Sequence, residues 1–280
     1  MKITASMVKE LREITGAGMM DCKKALNESD GDMEAAKEFL RKKGQAIANK
    51  KSSRETREGA VSISLKENKA ALVKIACETD FVAINDNFKE FIAKIAAQAI
   101  EVGIDDLMEK STSSGSIKEQ FVEAIGKLGE NIVFANGQYW EAAENGVINF
   151  YTHTNNKIGV LVELDTEPGT DATAAGDAAK NVAMHVAASQ VEAISENDLD
   201  PAVIEKEKNF LMEQARESGK PENIIEKMVV GRLNKFKKEV CLLDQNYVKD
   251  PDKTISEYLA EAGKAAGGGF SVKRFYKETF

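Results

Sequence analysis

Two stretches of this chain repeat one pattern, and that repetition restricts the fold more than any other feature. "AALVKIACE" (Ala70–Glu78) and "GVLVELDTE" (Gly159–Glu167) are both short, apolar and rich in strand-forming residues. Each precedes an apolar run of helical character. The first run places Phe88, Phe91, Ile92, Ile95, Ala96, Ala99 and Ile100 at i, i+3, i+4 and i+7 spacing, with Asn87 as its N-cap and Glu90 as the N3 partner. The second run ends in "AMHVAAS" (Ala183–Ser189). Farther on, "GKLGENIVFANGQYW" is echoed by "GRLNKFKKEVCLLDQNYV", with Gly231 and Leu233 answering Gly126 and Leu128. A chain built this way is expected to be α+β, with two related subdomains that each carry an antiparallel sheet.

The first copy is the more complete. "VSISLKENKAALVKIACE" alternates, so Val61, Ile63 and Leu65 share one strand face and Val73, Ile75 and Cys77 share one face of the next, with "KEN" as the hairpin turn. "ENIVFANGQYWE" supplies a further strand and closes the unit near residue 142, which gives boundaries of 55–142 and 143–280. The second copy is longer between its apolar helix and the "GRL" element. The surplus, "PAVIEKEKNFLMEQARESGKPENIIEKMVV", has Pro201 and Pro221 at positions suited to helix starts and "SGKP" as a break. It reads as an inserted antiparallel helical hairpin over about 196–230, of coiled-coil type, whose first arm has only a thin seam of Ile204, Leu211 and Ala215.

Residues 4–43 read as three short helices. Met7, Val8, Leu11 and Ile14 lie on one face of the first, with Thr4 or Ser6 as cap and Gly16 at a left-handed end. Met19, Cys22, Ala25 and Leu26 lie on one side of the second. "DGD" turns and caps, and Met33, Ala36, Phe39 and Leu40 face inward on the third. The domain expected over 1–54 includes a basic linker, because "RKKGQAIANKKSSRETR" (Arg41–Arg57) has seven basic residues, one acid and few large apolar groups.

Composition excludes several function classes. The formal net charge of −8 disfavours direct nucleic-acid binding, which is driven by basic surface, and that linker has no interleaved aromatic residues for stacking. There is no run of about 18 apolar residues to span a bilayer and no apolar leader near Met1–Ala5, so a cytoplasmic protein without a membrane partner is expected. Cys22, Cys77 and Cys241 are far apart and form no CxxC pair, so neither a disulfide framework nor a metal site is expected. The sequence has no GxxxxGK[ST], GxSxG or HExxH motif and only two histidines. No enzyme and no cofactor is expected.

One stretch resists a structural explanation. In "CETDFVAIND", Asp80 and Phe81 stand where a strand ends and a helix begins. Phe81 can act as a hydrophobic staple, with Ile84 and Phe88 continuing its stripe. Alternatively it is a protein-binding anchor. Laying Leu72–Ile75 on Leu161–Leu164 sets Thr79–Val82 against Pro168–Asp171, and the second copy turns this corner with no aromatic residue.

"LREITGAGMMDCKKAL" (Leu11–Leu26) and "TDFV" (Thr79–Val82) resemble the two signatures of the bacterial elongation factor Ts family, and "AMHVAAS" is similar to a third segment. The order of parts is similar from about Lys2 to Tyr276, and the three helices resemble a ubiquitin-associated bundle. The resemblance implies guanine-nucleotide exchange on elongation factor Tu. It implies that Thr79, Asp80, Phe81 and Val82 reach the partner's nucleotide site and disturb its Mg²⁺, with Phe81 the wedge and Asp80 the polar contact. By the same resemblance Arg12, Met19 and Met20 touch the partner's GTPase domain, Leu128 and Gly129 are contacts, and His153 meets a β-barrel domain. For Met19 the alternative of a place in the bundle core stays open, and His185 reads as a satisfied histidine on a packed helix. Self-association through the hairpin also stays open.

The chain departs from the family pattern at Lys74 and Ala76, where an acid and an asparagine are usual, and at Ile84, usually polar. It is given only to Phe280, shortly after "GFSVKRFY", whereas some members continue into another helix, so affinity is expected to rest on the parts present. A rival reading is an adaptor that binds some other protein through the methionine-rich loop of its first domain.

Overall fold

The computed structural model describes residues 3–154, 156–217 and 221–280. It forms two compact units: Met1–Trp140 with His153–Ile158 and Glu278–Phe280, and Glu141–Thr152 with Gly159–Lys277. The fold is α+β. Among the described residues no helix is long and apolar enough to cross a membrane.

The first unit begins with three helices, α1 (Ala5–Thr15), α2 (Met19–Glu28) and α3 (Met33–Lys51). Local chemistry sets their ends. Thr4 Oγ1 accepts from Met7 N, Gly16 ends α1 at φ 64°, and Asp32 Oδ1 accepts from Ala35 N at 2.8 Å. The bundle core is Val8, Leu11, Cys22, Ala25, Leu26 and Ala36. Ile14 and Met19, expected on inner faces, are 53% and 57% exposed. Each sits beside the Gly16–Gly18 turn, at the rim of a bundle whose core is filled by six side chains.

The strands β1 (Glu58–Lys66) and β2 (Lys69–Cys77) pair antiparallel, Gly59 opposite Ala76 and Lys66 opposite Lys69. They are followed by a single turn, α4 (Asp80–Ala83), and by α5 (Asp86–Val102). The cap of α5 is Asn85, whose Oδ1 accepts from Asn87 N at 2.9 Å. The expected cap, Asn87, is already inside the helix, because α4 ends at Ala83 and leaves Asn85 as the extended residue. Two short strands, β3 (Ser111–Thr112) and β4 (Gly115–Ser116), lead into α6 (Ile117–Leu128) and then β5 (Val133–Glu141), giving a sheet of order β1-β2-β5. The α6 helix was not expected, although Ile117, Phe121, Ala124, Ile125 and Leu128 keep helical spacing. Its Phe121 meets Phe91 of α5 edge to face, the ring centroids 5.0 Å apart.

The stretch Arg41–Arg57 is not a tether over its first part. Helix α3 runs on to Lys51, and Gly44 and Ala48 are buried. A Cβ on Gly44 would stand 3.6 Å from Val122, and one on Gly126 would stand 3.6 Å from the Gly44 Cα. Small residues let α3 and α6 approach closely, and that packing holds the basic segment helical.

In the second unit β6 (Gly146–His153), β7 (Ile158–Thr166) and a late strand form a sheet. Helix α7 (Ala172–Ala188) buries Ala175, Ala178, Ala179, Val182, Ala183 and Val186. The inserted hairpin is α8 (Pro201–Arg216) and α9 (Glu222–Val240). Its seam is Leu211 and Ala215 against Ile225 and Val229. The second arm therefore continues past residue 230, and Gly231 stands mid-helix with nothing within 4 Å of a Cβ position, unlike Gly126. The break read at Ser218–Lys220 lies outside the described residues. The unit ends with β8 (Asn246–Tyr247), β9 (Asp250–Thr254), α10 (Ile255–Ala265) and β10 (Phe270–Thr279), which completes the order β10-β7-β6. His185 is buried on α7, its Nε2 2.8 Å from Gln245 Oε1 while Val248 N donates to Nδ1 at 3.2 Å.

Candidate interaction site

The turn at Thr79 is built by one carboxylate reaching in from another part of the first unit. Glu130 Oε2 accepts from the backbone N–H groups of Glu78 and Thr79, both at 3.0 Å, and its Oε1 accepts from the Thr79 hydroxyl at 2.6 Å. Thr79 in turn caps α4, its Oγ1 accepting from Val82 N at 3.4 Å. The amides of Ala83, Ile84 and Asn85 donate to the carbonyls of Thr79, Asp80 and Val82. These bonds pair most of the backbone donors from Glu78 to Asn85 and hold the turn in one shape.

A second carboxylate steadies the first. Glu78 Oε1 accepts from Asn131 N at 2.7 Å, Glu78 pairs with Arg54 at 3.1 Å, and Asn131 Nδ2 donates to Arg54 O at 2.8 Å. Burial pushes the Glu78 carboxyl up, but the Asn131 amide and the Arg54 guanidinium outweigh it and hold the group below its usual pKa. Beneath the turn, Cys77 is buried and its Sγ donates to Thr79 O at 3.2 Å. Burial, with the charge of Glu130 adding to it, pushes that thiol up to about 12. It is therefore protonated at neutral pH and a poor nucleophile.

On this support Ala83 is buried and Val82 packs against the core, while Asp80 is exposed and the Phe81 ring is 78% exposed. The staple reading fails. Phe88 is fully buried without help from Phe81. A lone exposed apolar residue is ordinary on a protein surface; this one stands on an ordered turn, with Ile84, 50% exposed, three residues on.

The other expected residues fall into two groups. Leu128 and Gly129 end α6, Gly129 as the C-cap at φ 74° with its carbonyl accepting from Lys51 Nζ, and the next residue is Glu130. Hydrogen bonds thus join the Thr79–Val82 turn to the Leu128–Gly129 loop. Lys127, one residue earlier, lies beside the turn of the bundle: a Cβ on Gly16 would meet its Cε at 3.1 Å. Arg12 is exposed on α1, and Met19 and Met20 are 57% and 76% exposed, so Met19 is not bundle core. His153 is exposed at the end of β6. A cleft of about 780 Å³ lies between the bundle and α6, lined by Ile14, Leu40, Ile47 and Val122 among others. Among the described residues no cluster of His, Cys, Asp or Glu could hold a metal ion.

Sequence reasoning missed Glu130, Asn131 and Arg54. Nothing local marks them, since each acts across 24 to 77 residues of chain.

A family model described as Elongation factor TS matches residues 78–278. The Elongation factor Ts of Hydrogenovibrio crunogenus is 49% identical over 276 residues, covering 96% of this chain and 90% of the relative. Those of Clostridium botulinum (strain Eklund 17B) and Thioalkalivibrio sulfidiphilus are 46% and 44% identical, covering 98% and 99% of this chain and 92% of each relative. The chain belongs to the elongation factor Ts family. The family model begins at Glu78, so its match contains the whole Thr79 turn, the Gly129 loop and the hairpin. The three-helix bundle precedes that match, but the coverage of the elongation factor Ts relatives takes in most of it.

Proposed function

We propose that this chain, which its family assigns to translation elongation, promotes GDP release from elongation factor Tu as a guanine-nucleotide exchange factor in the cytoplasm. It acts by binding and makes or breaks no covalent bond. Phe81 enters the partner beside its nucleotide site, Asp80 makes the adjoining polar contact, and the groups that hold the partner's Mg²⁺ are displaced. The ion neutralises the diphosphate, so its loss weakens the whole site. Arg12, Met19, Met20, Leu128, Gly129 and His153 supply the remaining contacts, exposed methionines suiting an adaptable interface. Thermodynamic linkage sets the yield: a factor that binds the nucleotide-free partner more tightly than the GDP-bound partner must loosen GDP by the same ratio.

The exposure of Phe81 on a turn held by the Glu130 carboxylate and the Thr79 cap is the observation that carries this reading. An ordered turn loses little conformational entropy when it inserts, so the burial of the ring goes into binding. That burial is worth about 2 kcal/mol, or a factor of roughly 30 in affinity. The test is stopped-flow release of fluorescent GDP from purified elongation factor Tu. Wild type should accelerate release with concentration, and Phe81→Ala should need about 30-fold more protein for the same rate. No acceleration by wild type would leave the adaptor reading standing. Acceleration by Phe81→Ala equal to wild type would keep exchange and remove the wedge.

A further inference from the structure

Three residues far from the Thr79 turn in sequence complete the strands from which it springs. The Phe280 ring lies against Gly59, where an added Cβ would stand 2.5 Å from the ring Cζ and collide with Ile75 O. Gly59 has φ 153°, so the position is reserved for glycine by backbone and by space. Two cations close over the ring, Lys74 Nζ at 4.8 Å from its centroid and Lys157 Nζ at 5.2 Å. Both are themselves fixed. Lys74 donates to Glu278 Oε1 at 2.9 Å and to Thr279 O at 2.7 Å, Lys157 donates to Glu58 Oε2 at 2.6 Å, and Phe280 N donates to Lys157 O at 2.9 Å. Glu278 also accepts from Asn136 at 2.7 Å, so it bridges β2 and β5.

The register shows what this cage supports. Glu58 pairs with Cys77 and Gly59 with Ala76, so the ring sits at the end of the β1–β2 ladder, three residues or roughly 10 Å of chain before Thr79. The turn is then held from two sides: the Glu130 carboxylate grips its amides, and the cage fixes the strand ends that deliver it. Lys74, where the chain departs from the family pattern, has its role here, since an acid could neither face the ring nor pair with Glu278.

We propose that Phe280 is a positioning residue for the Thr79–Val82 turn, its ring clamped by Lys74 and Lys157 over Gly59 so that Phe81 is presented in one direction. The functional half of this inference rests on the exchange reading; the structural half does not. Phe280→Leu keeps apolar bulk and removes the ring, and Phe280→Trp keeps a ring that can face both cations. Two measurements are made on the full chain: hydrogen–deuterium exchange of the amides from Glu78 to Asn85, and the limiting rate of GDP release from elongation factor Tu at saturating factor.

Phe280→Leu should speed amide exchange across the turn and lower the limiting release rate, each by about tenfold, with a thermal midpoint still well above the assay temperature. Phe280→Trp should restore both. Wild-type protection of the turn in Phe280→Leu overturns the proposal, as does wild-type release with a loosened turn. If wild type itself releases no GDP, the exchange reading fails by itself and the amide data alone decide whether the cage holds the turn. Should Phe280→Leu fail to fold, Lys74→Gln, which removes one of the two cations and leaves the ring, takes its place with a smaller change in the same directions.

Discussion

Glu130 is a single carboxylate that satisfies two backbone amides and a hydroxyl, and its loss should be felt at the turn rather than throughout the unit. Glu130→Ala strands the Glu78 and Thr79 N–H groups, at about 1–3 kcal/mol, and should weaken GDP release more than a surface change of equal stability cost. Urea midpoints and release rates measured on the same preparation separate the two effects. His185 gives a pH prediction. Burial lowers its pKa, against the pull of Gln245, and with Nδ1 accepting from Val248 the folded state holds the ring neutral. The unfolded chain binds the proton more readily. Stability from this group is therefore full above the unfolded value near 6.5 and declines as pH falls below it toward the lowered folded value, by at most about 1.4 kcal/mol per pH unit. Urea midpoints between pH 7.5 and 5.5 should fall faster for wild type than for His185→Gln.

Helix ends divide into those legible from sequence and those that are not. Gly16, Thr4 and Asp32 act on residues within four positions of themselves, so the spacing of the three bundle helices could be read directly. The stripe of α5 was legible for the same reason, and its cap was misplaced by two residues only because a one-turn helix could not be seen before it. The length of α3 was illegible: Gly44 and Ala48 are weak signals until α6 lies opposite them. The end of α7 is another such case. It has no glycine, and Lys277 Nζ instead donates to the carbonyls of Val186, Ala187 and Ser189 at 2.9, 3.2 and 2.9 Å. Burial lowers the pKa of that ammonium, and its three hydrogen bonds take up carbonyls that the helix end leaves without partners. Lys277→Met should fray the last turn of α7 and lower stability by about 2 kcal/mol, seen as faster amide exchange confined to the end of that helix.

Across the whole chain, the repeat read from the sequence corresponds to strand and helix pairs in each unit, but the units are not consecutive blocks. The first takes in His153–Ile158 and Glu278–Phe280, and so obtains Lys157, Glu278 and Phe280 from beyond its own run. Sequence pattern has no means of showing this, because those contacts join residues 99 to 205 positions apart. A protein made of residues 1–140 alone should consequently be less stable toward urea than the same unit in the full chain, by at least about 2 kcal/mol. Equal midpoints would mean that the two late segments add nothing.

That exchange of segments has a consequence for biogenesis. A ribosome delivers roughly 5–20 residues per second, so Gly59 and Ala76 emerge many seconds before Phe280 is made. Throughout that interval the strand ends behind Phe81 lack their aromatic filling and its two cations. A nascent chain thus carries the Thr79–Val82 turn without the Phe280 cage behind it until translation has passed residue 280.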